Sequence, residues 1–166
     1  DRFLPAYQHA YQVRYRTINN GEIETQKSVC FPLADAIKKD VPGVKYVVQA
    51  DWMGSHGLAV GDKKLYVDGA MAGSDFLKAF QYPLLKGNAD AVLSEPYSIV
   101  LTQSTAKSLF GNEDPINKII RVDNQNNVKV TGVIKDVPGN STFLFNFILP
   151  FSFYVATMDW VKQSKK

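Results

Sequence analysis

The sequence predicts an α+β fold, and three observations carry that prediction. Tyr7 to Ile18 alternates, with Tyr11, Val13, Tyr15 and Thr17 on one face and Gln12, Arg14 and Arg16 on the other, as a half-buried strand does. Leu33, Ile37 and Val41 recur instead at helical spacing, with Lys38, Lys39 and Asp40 turned outward. Ser98 to Arg121 then packs a strand, a short helix, a glycine stop, a turn and a second strand into one unit.

Taken in order, the first strand ends at Asn20-Gly21, the strongest short hairpin signal, and Glu22 to Ser28 returns. Pro32 opens the helix, where its missing N–H costs nothing, and Pro42-Gly43 closes it. Val44 to Ala50 reads as a strand, and Asp51 to Gly57 as a loop. Leu58 to Val60 and Lys63 to Val67 flank Gly61-Asp62, a second hairpin. Ser74 caps a short helix carrying Phe76, Leu77 and Phe80, which ends at Tyr82-Pro83. Ser98 to Leu101 is a strand, Thr102 caps a helix to Phe110, and Gly111 suits the left-handed stop. Lys118 to Val122 and Val128 to Lys135 are strands joined by a polar turn over Asp123 to Asn127, and Leu144 to Leu149 is a last strand.

A chain of 166 residues typically buries roughly 70% of its unfolded surface, enough for a core without staples. Its 45% hydrophobic and 21% charged residues are those of a globular protein. The net charge of +3 is scattered apart from Lys162, Lys165 and Lys166, so nucleic acid is not an expected partner. Cys30 is the only cysteine, which excludes an internal disulfide and reads as a small buried apolar residue. The chain starts at Asp1 without a signal-peptide pattern, as a processed product or a piece of a longer protein would. The longest apolar run, Phe143 to Phe151, is interrupted by Asn146 and Pro150 and falls short of the ~20 residues of a spanning helix.

The ordered set of motifs resembles the periplasmic core domain of MacB/FtsX-type ABC transporter permeases, in the version common in Bacteroidetes. The matching pieces are Asp1-Arg2-Phe3, Tyr11-Gln-Val13, Pro32-Leu-Ala34, Pro42-Gly-Val44 and Phe80-Gln-Tyr-Pro-Leu-Leu-Lys-Gly87. They continue with Ile99-Val-Leu-Thr102, Ala106-Lys107, Leu109-Phe-Gly111, Asp114-Pro-Ile116, Val130-Thr-Gly-Val133, Asp136-Val-Pro138 and Asn140-Ser141. The family usually has glycine where Asn117 stands, and Asn tolerates the left-handed geometry of that turn. The family domain also continues past Trp160, so the resemblance implies further chain in the membrane-proximal lobe.

The resemblance implies two lobes. A βαβ porter-like lobe near the membrane takes residues 1–51 with 143–166, and a small mixed α/β lobe, residues 52–142, is inserted into it. It further implies a non-catalytic domain on the periplasmic side of the bacterial inner membrane, part of an integral membrane protein. The partners it implies are the flanking transmembrane helices, indirectly an ABC ATPase, and a periplasmic protein. The domain would couple ATP-driven motion to export or envelope processes. The alternative is a free-standing periplasmic module binding lipid or peptide in an apolar pocket.

Catalytic chemistry has one lead. Ser104-Thr-Ala-Lys107 is an S-x-x-K, the spacing that sets a lysine one helical turn from a serine nucleophile. The companion S-D-N and K-T-G motifs are absent, so the pair reads as a solvated helix face and no catalytic residue is assigned. His9, expected on a strand, and His56, in the glycine-flanked loop, are too few with Cys30 for a zinc site, so no metal is expected. Glu113-Asp114 and Glu22/Glu24 read as turn and hairpin solvation. No glycine pattern forms a phosphate-binding loop, and no cofactor is expected. Trp52 and Met53, in the expected loop, are the candidate interface residues.

Overall fold

The computed structural model describes residues 5–158, without the side chains of Tyr7, Trp52 and Met53. The chain order is a 3-10 turn Pro5–His9, β1 Tyr15–Asn19, β2 Glu22–Gln26, α1 Leu33–Asp40, β3 Ala50–Val60, β4 Lys63–Ala72, α2 Phe76–Phe80 and β5 Leu84–Lys86. It continues with β6 Ser98–Thr102, α3 Gln103–Phe110, β7 Ile119–Val122, β8 Asn126–Ile134, β9 Phe147–Pro150 and α4 Phe151–Thr157. This is an α+β architecture built around a sheet.

Among the described residues β1 and β2 pair only with each other, while the other strands form one sheet in the order β5-β8-β6-β9-β4-β3-β7. That sheet also closes on itself. β7 pairs β3 through Leu58↔Val122 and Ala59↔Arg121, and pairs β8 from Ile119↔Lys129 to Val122↔Asn126. β5 sits on the far half of β8's same edge, at Leu84↔Ile134 and Lys86↔Val133, outside the ring. Closure pairs strand edges that would otherwise be open to other chains.

Side chains alternate between two cores. Ile99, Leu101, Phe147 and Leu149 join one cluster, which α3 covers with Ala106, Leu109 and Phe110 and α4 with Phe153. Val100 and Ile148, the residues between them, join the second cluster, covered by Phe76 and Leu77 of α2 with Val92, Leu93 and Phe145. β6 and β9 are therefore buried on both faces and read as continuous apolar runs. Each large side chain buried this way contributes on the order of 1.5–3 kcal/mol.

The turns reflect local chemistry. Asn20 (φ 52°) and Gly21 (φ 85°) take the left-handed conformations that a two-residue hairpin needs. Asn117 is left-handed (φ 66°), as expected of the residue standing for a glycine. Asp123 (φ 50°) and Asn124 (φ 57°) turn β7 into β8, closed by Gln125 N–H donating to the Val122 carbonyl at 3.0 Å.

Several expectations are corrected. Only Tyr15–Asn19 of the first alternating stretch is strand, because Pro5–His9 winds into a 3-10 turn. Val44 to Gln49, expected as a strand, joins no ladder, and β3 begins at Ala50. The loop expected over Asp51 to Gly57 is instead the first half of β3, paired to β4 from Ala50↔Ala72 onward with a bulge between Trp52 and Gly54. The reason is a distant partner: β4 supplies ten residues of template, and Gly54 (φ 74°) absorbs the extra residue. α2 starts one residue late, with Asp75 at its cap in place of Ser74. The last strand begins at Phe147. β5 and α4 are additional to the expected elements. Among the described residues, no helix is long and apolar enough to cross a membrane.

The tightest contact in the sheet lies between β4 and β9. They run parallel with Gly69 opposite Phe147, and a Cβ at Gly69 would stand 2.1 Å from that ring. Phe147 is fully buried and its ring has nowhere to move. Gly69→Ala should therefore destabilise the protein by about 1–3 kcal/mol in urea unfolding. Gly57→Ala, whose Cβ meets only Asp123 Oδ1 at 3.7 Å, should change stability by less than about 0.5 kcal/mol.

Candidate functional site

The place where the chain enters and leaves the sheet is the best-defined junction in the molecule. Ala50, the first residue of β3, pairs with Ala72, and Ala72 pairs on its other side with Pro150, the last residue of β9. Both crossings thus lie at one end of the sheet, one strand apart from β4 on either side. The Gly73 N–H donates to the Gln49 carbonyl at 2.8 Å, tying the incoming chain to the end of β4. The Gln49 side-chain amide donates to the Phe31 carbonyl at 2.7 Å. The Phe31 ring meets Phe151, the first residue of α4, at 5.4 Å between centroids. β9 passes into α4 with no intervening loop.

The polar groups on this frame hold structural roles. Ser104 donates its hydroxyl to Asp136 Oδ2 at 2.5 Å, and its N–H to Asp136 Oδ1 at 2.9 Å. Asp136 thereby caps the first turn of α3, where the helix dipole favours a carboxylate. Thr102 holds the cap position as expected, but its hydroxyl meets the Thr105 hydroxyl at 2.9 Å, so the acceptor comes from beyond β8. Leu109 and Phe110 pack while Ser104 and Lys107 face solvent, as the reading of a solvated helix face requires.

His56 lies in β3, not in a loop, and its Nδ1 stands 2.5 Å from Asp123 Oδ2. Gly57 and Asp123 exchange bonds: Gly57 N–H donates to Asp123 Oδ1 at 2.9 Å, and Asp123 N–H donates to the Gly57 carbonyl at 2.8 Å. Asp123 therefore extends the short β3–β7 pairing that closes the ring. His9 ends the 3-10 turn and is exposed, on no strand. Cys30 is exposed, against the expectation of burial, because the segment between β2 and α1 runs over the surface. Among the described residues, no group of three or more His, Cys, Asp or Glu comes together as a metal cage. The side chains of Trp52 and Met53 lie outside the described residues, and their backbone belongs to β3.

Two ion pairs fasten the Asp114-Pro115 turn. Glu113 pairs with Lys118, and Lys86 donates to Asp114 at 3.0 Å. The hydrogen bond from Lys118 holds Glu113 below the usual carboxylate range, and Lys86 together with the Ile116 N–H does the same for Asp114. Elsewhere Asp90 is the main cause holding the Lys78 ammonium above its ordinary value. Burial pushes the Tyr82 phenol up to about 12, against a hydrogen bond with Ser141. That phenol sits within an aromatic cluster with Phe76 stacked at 5.4 Å and Phe145 edge-on at 5.6 Å.

Much of the exposed apolar surface lies before the junction. Tyr11 is 87% exposed, Ile18 73% and Ile23 63%, and α1 buries no residue fully.

Residues 4–164 match the family described as the MacB-like periplasmic core domain. No curated protein matches the chain. A domain from Porphyromonas gingivalis, described as belonging to a permease protein, aligns with a TM-score of 0.65 at 24% identity, over 73% of this chain and 57% of its own. The periplasmic region of MacB from Actinobacillus actinomycetemcomitans aligns with a TM-score of 0.60 at 22% identity, over 79% and 59%. The extracellular domain of the noncanonic ABC-type transporter YknZ from Gram-positive bacteria gives 0.62 at 20% identity, over 83% and 79%. At these identities the likeness is one of fold, and the chain spans less than two thirds of the first two structures.

The polar contacts can be tested by their removal. Asp136→Ala should cost about 1 kcal/mol of unfolding free energy through the lost helix cap, and Ser104→Ala less, in matched urea titrations. The depressed carboxylates of Glu113 and Asp114 stabilise the fold at pH above their unfolded values, near pH 4, and that contribution is lost as pH falls further and they protonate. The double variant Glu113→Gln/Asp114→Asn should show a shallower acid decline of melting temperature than the parent.

Proposed function

Since the chain belongs to the MacB-like periplasmic core domain family, we propose that it serves as a non-catalytic mechanical element, coupling ATP-driven movement of transmembrane helices to export or envelope processes. As a member it is a periplasmic, extracytoplasmic domain of an ABC transporter permease. Its partners in this reading are the flanking helices of the permease, an ABC ATPase reached through them, and a periplasmic protein. Trp52 and Met53, just inside the sheet at the junction, remain the candidate contact residues for that protein.

The observation that carries the reading is the pairing Ala50↔Ala72↔Pro150. A lever must receive motion at one place and move as a body. Here both chain crossings converge on β4, and the exit strand β9 is gripped on both edges by β4 and β6. Displacing α4 would therefore displace the sheet from its centre, not peel an edge. Packed, closed layers of this kind transmit strain because they are not compressible. Such a body tilts between discrete packings instead of bending smoothly.

The same pairing supports two lobes, with the inserted lobe leaving at Ala50 and returning after Pro150. β9 lies in the sheet, and in this proposal the return therefore follows Pro150, where the resemblance implied residue 143. In this reading residues up to 49 and the chain beyond the sheet form the membrane-proximal lobe, and α4 lies at the boundary, with Phe153 seated in the sheet's core.

The test is excision from the permease. The two crossings are two strand spacings apart, roughly 10 Å, so a short Gly-Ser bridge can replace residues 50–150. The expected outcome is retained ATP hydrolysis with transport abolished. Transport at the parental rate would overturn the proposal.

A further inference from the structure

We propose that the outer face of the closed ring, at the end of β3 and β4 away from the junction, docks an acidic segment of a partner protein. Lys64, Arg121 and Lys129 take its carboxylates, and Tyr66 and Ile119 its apolar side chains. In an antiparallel pair, residues directly opposite share a face. Lys64 stands opposite Ala59, Ala59 opposite Arg121, and Arg121 opposite Asn127, one row across four strands. Tyr66 opposite Gly57 lies in the row on one side of it, and Ile119 opposite Lys129 in the row on the other. The residues that alternate with these, Leu58, Ile120, Val122 and Val128, fill the core inside the ring, so this set points outward. Another part of the ring's outer surface, at Val100 and Ile148, is covered by α2, Val92, Leu93 and Phe145. The cationic row is exposed.

Charge selects the occupant. Lys64, Arg121 and Lys129 are far apart in the sequence, and strand pairing gathers them. Elsewhere Lys78, Lys86 and Lys118 each pair with a carboxylate. Among the described residues, the three cations of this face join no ion pair. Carboxylates at its margin are engaged: Asp68 accepts the Ser55 hydroxyl, and Asp123 meets the His56 ring and the Gly57 N–H. Asp62 stands beyond the row, at the hairpin tip. Tyr66 is 77% exposed and Ile119 52%, more than any other large apolar side chain described after Ala50. An exposed tyrosine among cations suits a protein, since Tyr and Arg are the side chains that anchor protein contacts. A second copy docked isologously would set this cationic face on itself. A bilayer is out of reach in the permease reading, on which this choice of occupant rests. There the membrane lies on the side of the junction at Ala50 and Pro150, and Ala59 stands roughly 30 Å further along β3. The face adds to Trp52 and Met53, which lie at the junction end of β3.

The experiment titrates a fluorescein-labelled peptide of alternating glutamate and leucine with the 166-residue chain, read by fluorescence anisotropy. Binding is expected, and should weaken with salt. Arg121→Glu should lower the affinity about tenfold, and Tyr66→Ala about fivefold. Lys135→Glu makes the same kind of charge reversal at the other end of β8, and should change the affinity by less than about twofold. Circular dichroism of each variant checks that the fold is retained, and Lys129→Glu reads the same face should the Arg121 variant unfold.

Failure to bind the peptide would overturn the docking. Equal weakening by Lys135→Glu would overturn it too, since attraction would then follow net charge and not this face. So would unchanged binding by Tyr66→Ala, the mark of a site for any polyanion. Co-sedimentation with phosphatidylglycerol vesicles that Arg121→Glu abolishes would give the face to lipid, and concentration-dependent dimerisation that it abolishes would give it to a second copy; either overturns the proposal. The assay needs no transporter. Absent peptide binding with transport lost on excision overturns the docking alone. Peptide binding with transport intact overturns the coupling alone.

Discussion

The last strand of the sheet lies between two strands that precede it by dozens of residues, and it fits because one of them carries no side chain where the two meet. β9 lies between β4 and β6, and its Phe147 ring occupies the space that a Cβ on Gly69 would take. Until residues 147–150 arrive, β4 and β6 have no common neighbour, and neither core has its central layer. The contact is also far apart in sequence, so the loop entropy of closing it precedes any gain from burial. Ring closure by β7, the lid of α3 and the run into α4 all depend on this insertion.

The same insertion accounts for how a passive body could respond to force. A terminal strand placed at a sheet edge would detach under load, one hydrogen bond at a time. Placed centrally and continued directly by α4, it engages two neighbours and both cores together. The incoming chain is held nearby by the Gln49 and Phe31 contacts, and the Phe31–Phe151 rings join the incoming and outgoing segments. In the proposed reading, the residues that would carry load are those that hold the fold together.

Two carboxylates, Asp136 and Asp123, hold elements together. Asp136 serves the start of α3 through Ser104, and Asp123 serves the β3–β7 closure through Gly57 and His56. In each case a carboxylate from one element satisfies backbone N–H groups of another, which removes an unpaired donor at a helix start or a strand margin.

Local physics was legible in the sequence. The left-handed Asn20, Gly21 and Asn117 positions, a positive-φ glycine at the end of α3, the helix over 103–110, the Gly61-Asp62 hairpin and the α+β class all come from φ preferences and side-chain periodicity, which act within a few residues. So did the family resemblance, because it rests on the order of such local motifs. The junction was not legible. Asp51 to Gly57 carries turn-forming residues, and only pairing with β4 makes it strand. Phe147–Pro150 shows its apolar run in the sequence, but not that it separates β4 from β6. Strand order, the exposure of Cys30 and the capping of Ser104 by Asp136 join residues dozens of positions apart or depend on what packs nearby. A linear pattern holds no record of such partners, and the folded structure alone decided them.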